Sequence, residues 1–455
     1  MKARGSLYLL ISLLLVASPV HAQDARITDQ QLNRGIVQLW ERLVPLKSVA
    51  SFMTVGAHPD DERSSLLSLL SRGYGVRTIT VTANRGEGGQ NAIGTEYRQA
   101  LGVLRSREME EASLAFDVEL FLLSESFDDP IYDESFSKSA VEALELWGED
   151  VMMEKLVRAI RQSRPDILFT NFQNVFGQHG HHRAMAAAAQ EAFTLAADPN
   201  AFPEHAALGL EPWQVKKFYL PAGTGGSREE NPVTLEPTLT LPVGEFDPIF
   251  GASYLQISEQ SRAYHQSQGM GNFRAEGPSG SELHLAESVV DVPAIEEDIF
   301  TGIPRTVADL ATGLEDEDVA ASLRDLDAAL VATVDAYPEF AAVVDNAAIA
   351  LGLARAAREV VAASSLDDAT KSDIDFRLGI KEVELQYATQ SALSLVPRLT
   401  LDNRELVAGG TTEATVTAFV GGQTAADDVT LELVVPEGWT AERVLEEGET
   451  ADAQP

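Results

Sequence analysis

Ala57-His58-Pro59-Asp60-Asp61-Glu62 follows the short apolar run Phe52 to Val55 and precedes the amphipathic run Leu66 to Leu70. That order reads as strand, tight turn, helix. The turn gathers one imidazole and three carboxylates into residues 58–62, beside a proline that fixes its shape. His58 and Asp61 stand three apart, so a turn entering a helix aims both at one point. An imidazole and a carboxylate are good ligands for a divalent metal such as zinc. Asp60, between them, is then placed to take a proton from water. An acidic helix start that complements the macrodipole is the plainer reading. Against it, three carboxylates this close repel one another unless a cation offsets them.

Working outward, the periodicity predicts strands at 51–55, 76–82, 118–123, 167–170 and 215–220, and helices over 62–72, 97–116, 151–162 and 183–197. Strands alternating with helices at this spacing predict βαβ units and an α/β fold, a Rossmann-like, mostly parallel sheet with flanking helices. Such sheets place ligand sites at the carboxyl ends of their strands. Three segments follow predicted strands: the hexapeptide, the loop Asn84-Arg85-Gly86-Glu87-Gly88-Gly89-Gln90-Asn91, and the cluster Gly177-Gln178-His179-Gly180-His181-His182-Arg183. All three therefore face one crevice.

Histidine is scarce, eight in the chain, and four of them are His58, His179, His181 and His182. His182 completes a three-ligand set with His58 and Asp61, and two histidines plus a carboxylate with an open position suit a catalytic zinc. His179 sits near the ion without binding it, where its imidazolium stabilises an oxyanion and protonates a leaving amine. A solvated histidine tract with casual metal affinity is the alternative. The glycine loop lacks the lysine and the spacing of a phosphate cradle, and Glu87 would repel phosphate. It is either a wall of the substrate pocket, with Arg85, Glu87 or Asn91 meeting hydroxyl groups, or a tight turn only. Arg105 and Glu108 on the following helix either reach the same crevice or form a surface ion pair.

With 455 residues the chain is long enough for two or three domains, and its 45% hydrophobic content supports a sizeable core. A formal net charge of −36 argues against binding nucleic acid or docking on anionic lipid. There is no cysteine, so a metal site must use His, Asp and Glu. Lys2 and Arg4, the apolar run Leu7 to Val16 and the segment ending at Ala22 have the form of a signal peptide, which predicts cleavage near residue 22 and export to the periplasm or medium. No membrane span is expected in the mature chain.

Residues 23–48 carry helical spacing at Leu32, Ile36, Leu39 and Leu43. Residues 222–295 read as largely irregular, except a helix over 253–262 that ends in His265-Gln266-Ser267-Gln268-Gly269. Residues 296–395 read as three helices (319–337, 340–363 and 367–393), a helical domain or spacer. Residues 396–455 read as a partial β-sandwich-like segment with strands at 412–419 and 429–435.

The hexapeptide 57–62 and the histidine motif 179–182, with the glycine loop between them, resemble the zinc-dependent de-N-acetylases of the PIG-L/LmbE type, in their larger exported bacterial form. Members deacetylate N-acetylglucosaminyl-phosphatidylinositol and N-acetylglucosaminyl-inositol. The resemblance covers roughly residues 48–270 and places a deacetylase domain within 23–295. It implies one Zn2+ held by His58, Asp61 and His182, with Asp60 as general base and His179 at the oxyanion. It further implies that Arg105 and Glu87 contact the sugar. Residue 181 departs from the pattern: the family usually has Asp there, and the lost charge is expected to lower the pKa of His179. The expected activity is hydrolysis of an N-acyl, expectedly N-acetyl, amide on a small-molecule or glycan substrate. The alternative is an exported carbohydrate-binding or scaffolding protein with a vestigial metal site.

Overall fold

The computed structural model describes residues 35–443, apart from 127, 404–405, 423 and 425–428; the expected signal segment lies outside the described residues. Strands β1 (Ser51–Gly56), β2 (Arg77–Thr82), β3 (Val118–Leu122), β4 (Ile167–Thr170) and β5 (Lys217–Pro221) form the parallel part of a seven-stranded sheet. The order is β3-β2-β1-β4-β5, continued by β9 (Ser281–Ser288) and β6 (Leu239–Leu241), which pair antiparallel. The predicted mostly parallel α/β sheet is therefore present. Every residue of β1 is buried, as expected for a central strand covered on both faces. Met53 and Val55 point to one face, where they pack with Ile79, Val81, Leu168 and residues of α4 (Ala140–Trp147), α5 (Glu149–Ser163) and α6 (Gly180–Leu195). Phe52 points to the other, with Phe169, Tyr219, Leu66 and Leu70 of α2 (Ser64–Ser68) and its π-helical continuation Leu69–Tyr74, and Ile257 of α7 (Tyr254–Arg262).

The chain runs outward from β1 through β2 to β3, then returns to lay β4 on the other side of β1. Strand order thus reverses between β1 and β4. In sheets of this kind, ligand sites lie at such a reversal, at the carboxyl ends of the strands. The hexapeptide leaves β1, and the histidine cluster lies at the end of the loop leaving β4.

Helix α4 was not expected within 124–146. Ser139 caps it, accepting from the amide of Glu142, and the Ser-x-x-Glu spacing is the legible signal for that start. Residues 222–295 carry more strand than expected: β6, β9 and a two-residue pair, β7 (Phe246–Asp247) with β8 (Ala252–Ser253).

Helices α8 (Glu317–Asp335), α9 (Phe340–Ala363) and α10 (Asp368–Ala392) match the three predicted helices closely. Asp316 and Asp367 cap the first and third. Alanines 347, 350, 354 and 357 line the buried stripe of α9, which packs against both neighbours. By length and composition α9 is apolar enough to cross a membrane, which the sequence reading did not single out. The helical unit is not a separate spacer. Its core includes Leu39 and Leu43 of α1 (Ile36–Leu43), together with Leu46 and Val49, so the segment leading into β1 is shared.

After α10, β10 (Leu395–Leu401) pairs antiparallel with β11 (Ala414–Val420). The expected strand at 429–435 is not one. Its alternating residues have no strand beside them among the described residues, whereas β10 follows α10 directly and pairs with β11 along its length.

Candidate metal centre

Gly56 ends β1, and the chain then turns back on itself. Asp61 Oδ2 accepts from the amides of Ala57 (3.0 Å) and His58 (2.8 Å), which anchors the carboxylate under the turn. The turn needs a glycine before it: a Cβ at position 56 would lie 2.8 Å from the Cβ of Asp61. Gly56→Ala is therefore expected to displace Asp61 and weaken zinc binding roughly 10–100-fold, as loss of a supporting contact does elsewhere. Competition against a chromophoric chelator measures this, with circular dichroism to confirm the fold. Unchanged affinity would mean that the turn absorbs the methyl.

Donor atoms of three residues converge. His58 Nδ1 lies 3.2 Å from Asp61 Oδ2 and 3.2 Å from His182 Nε2, and His182 Nε2 lies 3.3 Å from Asp61 Oδ1. A tetrahedral ion with zinc–nitrogen bonds of ordinary length separates its ligands by roughly 3.3–3.4 Å. The three residues therefore fit a divalent ion on geometry and on donor type, and their ligand atoms form one of two candidate groups among the described residues. Helix α6 sets His182 in its first turn, and Phe172 stacks on its ring at 3.7 Å. Asn171 donates to the Asp61 carbonyl at 2.6 Å, tying the loop after β4 to the turn after β1.

Electrostatics support the same point. Burial would raise the Asp61 pKa, but His182 and His58 outweigh it and hold the carboxyl well below its usual range. Burial likewise opposes charge on His58, yet Asp61, Asp133 and Asp60 lift its pKa to about 9. The metal-free pocket thus favours a proton where a cation would sit.

Asp60 is half-buried at φ 102°, a conformation that L residues rarely adopt. Its backbone is gripped from outside the turn: Gln268 donates to the Pro59 carbonyl (2.6 Å) and Arg262 to the Asp60 carbonyl (3.3 Å). Its carboxylate has no hydrogen-bonding partner among the described residues. Burial, then Asp61 and Glu62, push its pKa up to about 7. The adjoining Glu62 is paired with His265 at 3.3 Å, both buried. The polar loop after α7 is therefore part of the site, a role that sequence reasoning did not assign. Its signal was the concentration of His265, Ser267 and Gln268 in a glycine-bounded segment.

His179 precedes α6, and its Nε2 accepts from the Ser137 amide at 3.4 Å. Its pKa is lowered, with burial the leading cause, followed by His58 and His182. His181 is fully buried, with burial and then His58 pushing its pKa down to about 3, so it is a neutral ring; its Nδ1 faces His58 Nε2 at 3.1 Å.

The three residues expected at the sugar are occupied internally. Arg105 donates to the carbonyls of Gly86 (2.9 Å) and Gln90 (2.7 Å) and to Ser267 Oγ (3.2 Å). Arg85 donates to Ser124 O and Ser106 Oγ. Glu87 is buried, and its Oε2 accepts from the amides of Arg85 and Asp133. Glu108 accepts from both the amide and the hydroxyl of Ser267. Together these side chains hold the glycine loop in shape.

Residues 53–193 match the family described as PIG-L: GlcNAc-PI de-N-acetylase. The match contains the turn, the glycine loop and the histidine cluster. Two curated relatives are 1D-myo-inositol 2-acetamido-2-deoxy-alpha-D-glucopyranoside deacetylases. The protein from Frankia alni is 30% identical over 36% of this chain and 59% of its own length. The protein from Catenulispora acidiphila is 26% identical over 58% of this chain and 88% of its own. Among solved structures, N,N'-diacetylchitobiose deacetylase from Pyrococcus horikoshii aligns over 52% of this chain and 83% of its own, at 16% identity and a TM-score of 0.34.

Proposed function

We propose that this chain is an exported zinc hydrolase that removes the acetyl group from an N-acetylated amino sugar, free or within a larger molecule. The observation that carries the reading is the convergence of His58 Nδ1, His182 Nε2 and the two Asp61 carboxylate oxygens, with contacts of 3.2–3.3 Å. Asp60 and His179 flank it. The names of the curated relatives supply the substrate class.

His58, Asp61 and His182 would hold the ion, which supplies a Lewis acid for the amide carbonyl and lowers the pKa of water at its open position. Asp60 takes the proton from the attacking water. In the metal-free site, burial and then Asp61 and Glu62 raise its pKa to about 7. His179 faces the carbonyl oxygen as negative charge develops there and delivers a proton to the departing nitrogen. The products are acetate and a free amine. The glycine loop, braced by Arg85, Glu87 and Arg105, walls the pocket.

Chelation is expected to abolish acetate release from a panel of N-acetylglucosamine derivatives, and one equivalent of Zn2+ to restore it. Zinc-loaded protein inert on the whole panel would instead favour a carbohydrate-binding protein with a vestigial site.

A further inference from the structure

We propose that the chain has a second divalent-cation position, formed by His58 Nε2, His179 and His181, whose filling inhibits the enzyme. The two nitrogens of the His58 ring serve two different donor sets. Nδ1 faces Asp61 and His182, whereas Nε2 faces His181 Nδ1 at 3.1 Å. One nitrogen from each of His58, His179 and His181 lies within 4.8 Å of the others. Asp133 Oδ1 stands 3.7 Å from His181 Nδ1, close enough to join as a fourth donor after a small shift.

The rings are held for this arrangement. His181 packs on Trp147 at 4.8 Å and meets His179 edge-on at 4.7 Å. Its Nε2 is buried with no hydrogen-bond partner among the described residues, and its Nδ1 is turned toward His58 and Asp133. A site of three imidazoles favours zinc, copper or nickel over magnesium or calcium. The histidine at 181 supplies the third imidazole. With the first ion on His58 Nδ1, a second ion would displace the remaining proton from His58 Nε2 to solvent, so that His58 would bridge the two ions as an imidazolate.

Inhibition rests on the function proposed above, because the second ion would take up His179. The binding does not rest on it. The test is equilibrium dialysis of the full chain against Zn2+, with excess Mg2+ and salt to mask the acidic surface, read as bound zinc per chain. Wild-type protein is expected to bind two equivalents. His181→Phe and His181→Asn should each bind one, His182→Ala one, and His58→Ala none, with circular dichroism confirming folded protein. A single equivalent in the wild type, or two in both His181 variants, overturns the site. In parallel, acetate release should rise with the first equivalent and fall with the second. If the rate holds level while the second equivalent binds, the inhibitory role is overturned. Absence of acetate release at every loading refutes the hydrolase reading, while the stoichiometry still decides the site.

Discussion

Asp60→Asn is expected to lower kcat for acetate release by roughly 10²–10⁴-fold, the range for loss of a positioned general base, while bound zinc and KM stay close to wild type. The amide cannot take the proton from water. Zinc is retained because Asp60 is outside the donor triangle, which is closed by His58, Asp61 and His182. The same substitution should stabilise the metal-free chain in a pH-dependent way. The folded pKa of about 7 lies above the usual 3.8, so the folded state binds this proton more tightly than the unfolded state. Between pH 4 and 7 the wild type therefore loses stability as pH rises, and the charge set against Asp61 and Glu62 is fully felt only above 7. Asn carries no charge and escapes this loss. Thermal melts of the chelated proteins should show a larger gain for the variant at pH 8 than at pH 5. An equal gain at both pH values would remove charge repulsion as the cause, and a variant with wild-type kcat would remove Asp60 from the reaction. With both expected results, the site is a case in which activity is held at the expense of stability.

The metal centre was legible because its parts are local. His58, Asp60 and Asp61 fall in one turn, and His179 and His182 fall within one helical turn. A reversal of strand order is the only tertiary fact needed to bring the two segments together. Strands β1, β2 and β4 were legible for a similar reason, being apolar runs closed by turn residues. What the sequence did not reveal depends on contacts far apart in the chain. Arg105 could be placed near the crevice, but only the fold shows that the Gly86 and Gln90 carbonyls and the Ser267 hydroxyl occupy its guanidinium. Ser267 is 162 residues from Arg105, and no local pattern links them. The role of His265 and Gln268 was hidden in the same way, since both act on the turn after β1 from about two hundred residues downstream. Strand β9 was missed because a late antiparallel addition has neither the length nor the flanking helices of a βαβ unit. The pairing of β10 with β11, in place of a strand at 429–435, shows the limit of alternation: it marks a segment that fits a sheet without naming the partner.

Asp166→Ala is expected to destabilise the protein by about 3–5 kcal/mol, the cost of leaving one member of a buried ion pair alone. Asp166 begins the turn into β4, and its carboxylate is fully buried. It accepts from Arg377 Nη2 at 2.7 Å (Oδ1) and from Arg377 Nη1 at 2.9 Å (Oδ2), a two-pronged contact from α10. It also accepts from the amide and hydroxyl of Ser51 at the start of β1. One side chain therefore joins the first residue of the central strand, the entry to its neighbour and the helical unit. Removing it strands the Arg377 guanidinium, which is 4% exposed and keeps only Asp373 and the Val49 carbonyl as partners. Urea unfolding followed by tryptophan fluorescence is suited to the test, because Arg377 lies 5.8 Å from the ring of Trp213. The double variant Asp166→Ala/Arg377→Met should recover part of the loss, since no unpaired charge remains buried. A single substitution costing less than about 1 kcal/mol would place this junction among exposed ion pairs. The helical unit would then be held to the sheet by the apolar core it shares with α1 and by contacts such as Arg164 to Ser372 and Lys381 to the Pro45 carbonyl.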